Sequence, residues 1–312
     1  MNSTASGKVI KAVFMIEQIT ECVCKEIKIE NKRILLEINP VDGGRLTRLY
    51  DKEKDCELIW QNPRNLYAHR YYNSNYDDLT AGGIEEAFPT VEPCCVNGYN
   101  LPYFGEIWAN MWAIKDSGDD CITLETYSPV WPARISKTFR LTEDNLVICY
   151  TIENLGLYTM DFVFGFHPGL MLYEDSRIFV PEGTYCMYKH PDLNDGEVRP
   201  FNWPEFEGRN LSISQPIEDR VVYNFLSFPA SGGSIGVYHP GKGSGITVDF
   251  DEKFFKCLSL WPVYGSKKGH RCLLSEAFTS WPTKLSDAIE KGVAVSLDRG
   301  KSISTTVKFT VK

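Results

Sequence analysis

Short apolar runs bounded by turn residues recur along most of the chain. Residues 34–39, 46–50 and 58–60 are runs of this kind, and residues 303–311 alternate apolar and polar side chains. These patterns are typical of β-strands, because successive side chains of a strand point to opposite faces of its sheet. The same alternation on both sides of the polar turn 142–145 predicts a β-hairpin, with strands at 135–141 and 146–152.

Only one segment has a convincing helical spacing. In residues 283–291, Leu285, Ala288 and Ile289 share one face, and Gly292 follows where helices commonly end. Because short strands follow one another elsewhere with so little helix, we predict an all-β fold in the form of a large antiparallel β-sandwich.

The domain organisation follows from the absence of a linker or an internal repeat in the sequence. We predict that residues 1–29 form an N-terminal extension and that residues 30–312 form a single domain. Residues 63–83 are rich in Asn, Tyr and Asp and show no clear period, so they predict a long loop. Loops of this length in compact domains are usually functional or disordered, and the aromatic residues here favour function.

The segment 161–172 places one ionisable side chain, His167, in an otherwise apolar run. Pro168 and Gly169 follow at once, which predicts that the strand ends there. A buried histidine needs either a hydrogen-bond partner in the core or a chemical role, and the local sequence leaves both open. Glu276 has a similar setting, because it follows an apolar run and precedes a segment broken by proline.

Composition limits the classes of partner. The 312 residues include 33 basic and 41 acidic side chains in no long block, giving a formal net charge of -8. This balance predicts no binding to nucleic acid or to an anionic membrane surface, and it favours a neutral or cationic small ligand. The aromatic content of 13%, with seven Trp, suits a pocket that stacks on apolar faces, although large sheets also use aromatic residues.

The ten cysteines lack the spacing of metal ligands, so we predict no metal site. Several lie in apolar runs and are typical of buried free thiols, which implies a reducing compartment. Residues 9–16 are too short and too charged for a signal sequence, and no apolar run reaches the length that spans a membrane. The sequence therefore predicts a cytoplasmic protein.

Several segments recur together and in order in one known family. They are the runs Leu36–Pro40 with Gly43–Arg45, Tyr150–Asn154, His167–Pro168 and Leu273–Pro282. Over about residues 30 to 312 the chain resembles the aldose 1-epimerase (galactose mutarotase-like) family. The resemblance implies a supersandwich of antiparallel strands with a sugar-binding groove, and a carbohydrate as the small-molecule partner.

The resemblance also implies roles for two residues. His167 corresponds to the family's general acid on the sugar ring oxygen, and Glu276 to the general base on the anomeric hydroxyl. A histidine and a carboxylate suffice for interconverting sugar anomers, because the reaction needs one proton removed and one supplied. No cofactor is therefore implied.

The sequence departs from the family at one position. Related proteins often carry a second histidine where this chain has Phe104, so one polar contact is missing. His69 and Arg70 in the long loop are candidates to replace it. Further candidates for sugar binding are Glu85 and Glu86, which follow a glycine pair, and Trp108 and Trp261, whose rings could stack on a sugar.

Three functions stay open at this level. The first is an aldose 1-epimerase-like isomerase, and the second is a carbohydrate-binding protein without turnover, which the loss of the histidine favours. The third is a glycoside hydrolase in which Glu276 pairs with Glu85 or Glu86, since such enzymes use two carboxyl groups. The sequence leaves open which sugar binds, whether it carries a phosphate or other substituent, and the oligomeric state.

Overall fold

A computed structural model describes residues 26–65, 68–189, 194, 196–216, 223–227 and 233–312. Residues 1–25 of the predicted extension lie outside the described residues, as does the segment 9–16. Within the described ranges, no helix has both the length and the apolar character needed to cross a membrane.

The described chain is built mainly of strands. In chain order they are β1 Ile27–Glu30, β2 Ile34–Asn39, β3 Arg45–Asp51, β4 Cys56–Glu57, β5 Ile84–Ala87, β6 Cys94–Val96, β7 Tyr99–Leu101, β8 Ala113–Ser117, β9 Cys121–Ser128, β10 Ala133–Leu141, β11 Asn145–Asn154, β12 Met160–Phe162, β13 Gly165–Met171, β14 Arg177–Phe179, β15 Thr184–Lys189, β16 Arg199–Asn202, β17 Glu205–Phe206, β18 Arg209–Asn210, β19 Asn224–Ser227, β20 Ser234–His239, β21 Ser244–Phe250, β22 Cys257–Tyr264, β23 Arg271–Phe278, β24 Val295–Leu297 and β25 Ser302–Val311. Two short α-helices, Tyr76–Leu79 and Leu285–Glu290, and a 3-10 helix, Ile107–Ala109, complete the elements.

Two large sheets form the two layers of a sandwich. Among the described residues, the first has eleven strands in the order β1-β2-β3-β5-β13-β23-β22-β19-β15-β16, with β4 paired to β3. The second has eight strands in the order β14-β20-β21-β25-β11-β10-β9-β8. Neighbouring strands in both sheets run antiparallel. The prediction of an all-β antiparallel sandwich is confirmed.

The hydrophobic core lies between the sheets and follows from the period of the strands. In the hairpin β10–β11, Leu141 pairs with Leu146 across the predicted turn, and Ile135 pairs with Ile152. Buried positions alternate with half-buried or exposed positions along both strands, so one face of the hairpin packs into the core. The predicted hairpin is confirmed, as is the final strand, observed as β25.

Two local predictions differ from the structure. Residues 58–60 form no strand; Ile59 makes only an isolated bridge to Leu170. The predicted helix over residues 283–291 is present with shorter bounds, Leu285–Glu290, and the side chain of Lys284 forms no N-terminal cap. Gly292 follows the helix with φ +67°, in the left-handed conformation that ends many helices.

Strand β13 corrects the prediction that pairing ends at Pro168. The strand continues to Met171, and Gly169, Leu170 and Met171 pair with β23. His167 and Pro168 pair instead only with β5 on the other side, so the ladder to β23 is interrupted at these two residues. The prediction was wrong because a proline is tolerated where a ladder is already irregular.

Candidate active site

The centre of the eleven-stranded sheet brings together ionisable residues from three adjacent strands. In the order β5-β13-β23, Glu85 lies opposite His167 in the register, and His167 lies beside Glu276. Their side chains share the face of the sheet that points away from the sandwich core. All three line a cavity of about 300 Å³, which we call the central cavity.

His167 and Glu276 contact each other directly in the central cavity. The Nε2 atom of His167 lies 2.8 Å from Oε1 of Glu276, and the two side chains are only 9% and 12% exposed. Burial lowers the pKa of His167, but the Glu276 carboxylate and its hydrogen bond oppose this effect, and the pKa ends above its ordinary value. The pair therefore favours a charged imidazolium beside a carboxylate.

A tyrosine that the sequence analysis did not single out contacts the other side of the imidazole. The hydroxyl of Tyr76 lies 3.2 Å from Nδ1 of His167 and donates a hydrogen bond of 2.7 Å to Oε2 of Glu85. Thr80 donates to the same carboxylate oxygen at 3.1 Å. Tyr76 comes from the short helix in the predicted long loop, so this loop supplies part of the lining of the central cavity.

Phe104, at the position where related proteins often carry a second histidine, packs against Tyr76 and His167. Its ring stacks on Tyr76 with centroids 3.7 Å apart and an interplanar angle of 13°, and its edge meets His167 at 5.2 Å. The hydroxyl of Tyr76, the residue stacked on Phe104, contacts His167. No periodic pattern could have revealed this, because Tyr76 and His167 are 91 positions apart.

Aromatic and cationic side chains form the outer part of the central cavity. Trp261 lies on its wall, and the Nζ atoms of Lys189 and Lys267 lie 5.3 Å and 4.7 Å from the centre of its ring. The Trp261 indole Nε1 is buried and, within the described part of the chain, has no hydrogen-bond partner. Lys267 forms an ion pair with Asp77. This wall therefore combines an aromatic ring with two ammonium groups.

Glu86 requires a correction, because the structure places it on the opposite face of β5 from Glu85. It is buried in the core, where Lys137 and Tyr150 each donate a hydrogen bond of 2.7 Å to one of its carboxylate oxygens. Glu86 is therefore a core residue, and it is not available to bind a sugar or to pair with Glu276 in a hydrolase.

Trp108 and Arg70 also lie outside the central cavity. Trp108 is 2% exposed and packs edge-on against Tyr76, behind the cavity wall. Arg70 donates to the backbone carbonyl of Leu79 at 3.0 Å and forms an ion pair with Asp42. Both residues support the loop that carries Tyr76. His69 is exposed beside Tyr71 and does not replace the missing histidine.

Comparisons with known proteins agree on the architecture. No protein-family model matches the chain. The curated Escherichia coli (strain K12) protein YphB, itself uncharacterised, is 28% identical over 166 residues, which cover 47% of this chain and 57% of that protein. The chain thus aligns with little more than half the length of this relative.

The similarity to solved structures extends over nearly the whole chain. The Slr1438 protein from Synechocystis sp. PCC 6803 is 19% identical, with a TM-score of 0.72 and coverage of 93% of this chain and 96% of that one. A galactose mutarotase-like protein from Lactobacillus casei is 16% identical, with a TM-score of 0.65 and coverage of 92% and 100%. The chain therefore has the galactose mutarotase-like fold, and the resemblance found in the sequence is confirmed at the level of the fold.

Proposed function

We propose that the protein is an aldose 1-epimerase-like isomerase that interconverts the α and β anomers of a free or modified sugar. The observation that carries the proposal is the 2.8 Å contact between His167 and Glu276 in the central cavity. The ring oxygen and the anomeric hydroxyl of an aldose are bonded to the same carbon atom. An acid and a base that act on these two oxygens must therefore converge on one point, as His167 and Glu276 do.

The reaction needs only proton transfers to and from these two groups. Glu276 removes the proton of the anomeric hydroxyl while His167 donates a proton to the ring oxygen, and the bond between that oxygen and C1 breaks. The open-chain aldehyde rotates about its C1–C2 bond. The ring then closes on the other face of the carbonyl, with both proton transfers reversed, so atoms and charge balance.

The raised pKa of His167 suits this role. A general acid must carry its proton at the working pH, and the neighbouring carboxylate of Glu276 stabilises the protonated form. The rate should therefore fall on the alkaline side as His167 loses its proton, at a pH above the ordinary histidine value.

The size and lining of the central cavity favour a small carbohydrate. Ligand pockets typically have volumes from about 300 to 1,000 Å³, and at about 300 Å³ this cavity lies at the lower end. Trp261 provides a flat apolar surface on its wall. This surface suits the apolar face of a sugar ring, while the buried carboxylates and His167 suit its hydroxyl groups.

Two substitutions test the proposal. We expect Glu276→Gln and His167→Asn each to lower kcat/KM for anomer exchange by about 10²- to 10⁴-fold, because each removes one proton-transfer group. Exchange is measured by NMR magnetisation transfer or by the change of optical rotation of fresh α-anomers, across a panel of neutral, acidic and phosphorylated aldoses. Glu205→Gln, which changes an exposed carboxylate of β17, is the matched control.

The same panel separates catalysis from simple binding. If the wild-type protein binds a sugar in calorimetry but accelerates no exchange, the enzyme proposal is overturned in favour of a carbohydrate-binding protein. If the rates of Glu276→Gln match those of the wild type, Glu276 is not the general base.

A further inference from the structure

Tyr76 lies between Glu85 and His167, and its hydroxyl contacts both side chains. We propose that Tyr76 is a positioning residue that keeps a proton on Nδ1 of His167, so that the transferable proton is always the one on Nε2, facing Glu276 and the cavity. This inference rests on the proposed function of His167 as the general acid. It concerns two residues, Tyr76 and Glu85, that the acid–base reaction itself does not use.

The number of hydrogens on Tyr76 determines which of Tyr76 and His167 donates to the other. A tyrosine hydroxyl has one hydrogen to donate, and the carboxylate oxygen Oε2 of Glu85, at 2.7 Å, accepts it. The hydroxyl oxygen of Tyr76 can then only accept a hydrogen bond from His167 at 3.2 Å. Acceptance requires a hydrogen on Nδ1. Once His167 has given the proton on Nε2 to a substrate, the proton that it keeps is therefore the one on Nδ1.

The donor role of Tyr76 does not change with pH in the working range. Burial, and next the charge of Glu85, raise the pKa of Tyr76 well above its ordinary value. The hydroxyl therefore keeps its hydrogen, and Glu85 remains its acceptor. Glu85 is in turn held by the hydroxyl of Thr80 at 3.1 Å, and the Nε atom of Arg45 lies 3.9 Å from its other oxygen.

Aromatic packing fixes the orientation of the imidazole. The rings of Tyr76 and Phe104 stack on each other and meet the His167 ring at interplanar angles of 82° and 87°. A flipped imidazole would put the carbon atoms Cδ2 and Cε1 where Nδ1 and Nε2 now lie, and both hydrogen bonds would be lost. In this arrangement Phe104 is the packing partner that holds the Tyr76 hydroxyl against His167, which gives the departure from the family pattern a physical role.

The arrangement also favours the charged form of His167. The imidazolium donates from both nitrogens, to Tyr76 on one side and to Glu276 on the other, and the charge of Glu85 adds to that of Glu276 in raising the pKa of His167. Removing the Tyr76 hydroxyl should therefore lower the pKa of His167 and reduce the fraction of the neutral imidazole that carries its proton on Nδ1. A purely structural role for Tyr76 would change neither quantity.

The decisive variant is Tyr76→Phe, which keeps the ring stacked on Phe104 and deletes only the hydroxyl. In ¹⁵N NMR of protein labelled at histidine, with His167→Asn used to assign the signal, we expect the Nδ1–H fraction of neutral His167 to fall, because Glu276 still accepts from Nε2 while no group accepts from Nδ1. We expect its pKa to fall by about 0.5 to 1 unit, as one hydrogen bond to the imidazolium is lost. Tyr127→Phe, at an exposed tyrosine, is the control.

A second variant separates the charge of Glu85 from its hydrogen bond. Glu85→Gln keeps an oxygen that accepts from Tyr76 but removes the charge, so we expect a lower His167 pKa with the Nδ1–H tautomer retained. In kinetics, Tyr76→Phe should lower kcat about tenfold with little change in KM. The alkaline limb of its pH profile should move to lower pH.

The outcomes distinguish this inference from the proposed function. An unchanged tautomer and pKa in Tyr76→Phe would overturn the inference even if the enzyme is active. If instead the wild-type protein exchanges no anomers, the proposed function fails, while the NMR result still decides whether Tyr76 controls the tautomer. A drop in kcat without any change in the NMR signals or the pH profile would also count against the inference.

Discussion

The pKa values of two buried histidines are shifted in opposite directions, because their hydrogen-bond partners differ. The carboxylate of Glu276 outweighs burial at His167 and raises its pKa. At His239 the partner is the neutral hydroxyl of Ser176, 2.8 Å from Nδ1, and burial lowers the pKa of this histidine to about 4. His167 is thus a candidate acid, whereas His239 is a neutral core residue.

The low pKa of His239 predicts a loss of stability in acid. In the unfolded chain His239 binds a proton below its ordinary pKa of 6.5, whereas in the folded chain it stays neutral until the pH falls to about 4. The contribution of His239 is therefore complete above pH 6.5 and is lost as pH falls towards 4, by about 3 kcal/mol in total. His239→Asn, which can still bond Ser176, should show a shallower decline.

Urea unfolding of the wild-type protein and of His239→Asn at pH 4, 5, 6 and 7 measures how steeply the stability of each falls in acid. The comparison is between slopes against pH, so that a constant cost of the substitution cancels. Parallel slopes for the two proteins would contradict the assignment of a low pKa to His239.

At the scale of elements, a sharp turn holds Phe104 against Tyr76. Phe104 and Gly105 have φ angles of +64° and +71°, and Gly105 makes an isolated bridge to Phe88. A Cβ atom on Gly105 would lie 2.1 Å from the carbonyl oxygen of Phe88. Only glycine fits this approach, and the turn thereby fixes the position of the aromatic stack behind His167.

We expect Gly105→Ala to destabilise the protein far more than the matched substitution Gly98→Ala. Both glycines have positive φ, but a Cβ on Gly98 meets no atom within 4 Å. The conformational cost alone is about 1 kcal/mol, whereas the clash at Gly105 should bring the total to about 3 kcal/mol or more. Chemical denaturation measures both free energies of unfolding; equal losses would show that the turn relaxes freely.

At the scale of the whole molecule, a buried ion pair joins the two sheets. Lys137 of β10, in the eight-stranded sheet, donates to Glu86 of β5, in the eleven-stranded sheet, and both side chains are at most 1% exposed. Tyr150 of β11 donates to the second oxygen of Glu86. Since β5 also carries Glu85, the pair connects the strand of the candidate site to the opposite layer.

Breaking this pair from one side should be costly. We expect Lys137→Met to reduce the free energy of unfolding by about 3 to 5 kcal/mol, because it leaves the Glu86 carboxylate buried without its counter-charge. The double variant Lys137→Met/Glu86→Gln should recover more than half of that loss, since no charge then remains and Tyr150 keeps an acceptor. A double-mutant cycle in denaturant unfolding checks this; additive losses would argue against coupling.

Much of the fold was predictable because it depends on local patterns. Alternation along β10 and β11 sets one face of the hairpin inward, and the polar turn sets its register. The prediction failed where tertiary pairing overrode local preference. Strand β13 continues through Pro168, because β5 supplies pairing where the ladder to β23 is interrupted.

By itself the sequence determined the strand pattern, the resemblance to a fold family and the choice of His167 and Glu276. The tertiary structure alone decided which of the adjacent acids Glu85 and Glu86 faces the cavity, because the period of a strand puts them on opposite faces without saying which face is covered. It also brought Tyr76 to His167. Contacts between residues distant in sequence depend on how whole strands and loops pack together, and no local pattern contains that information.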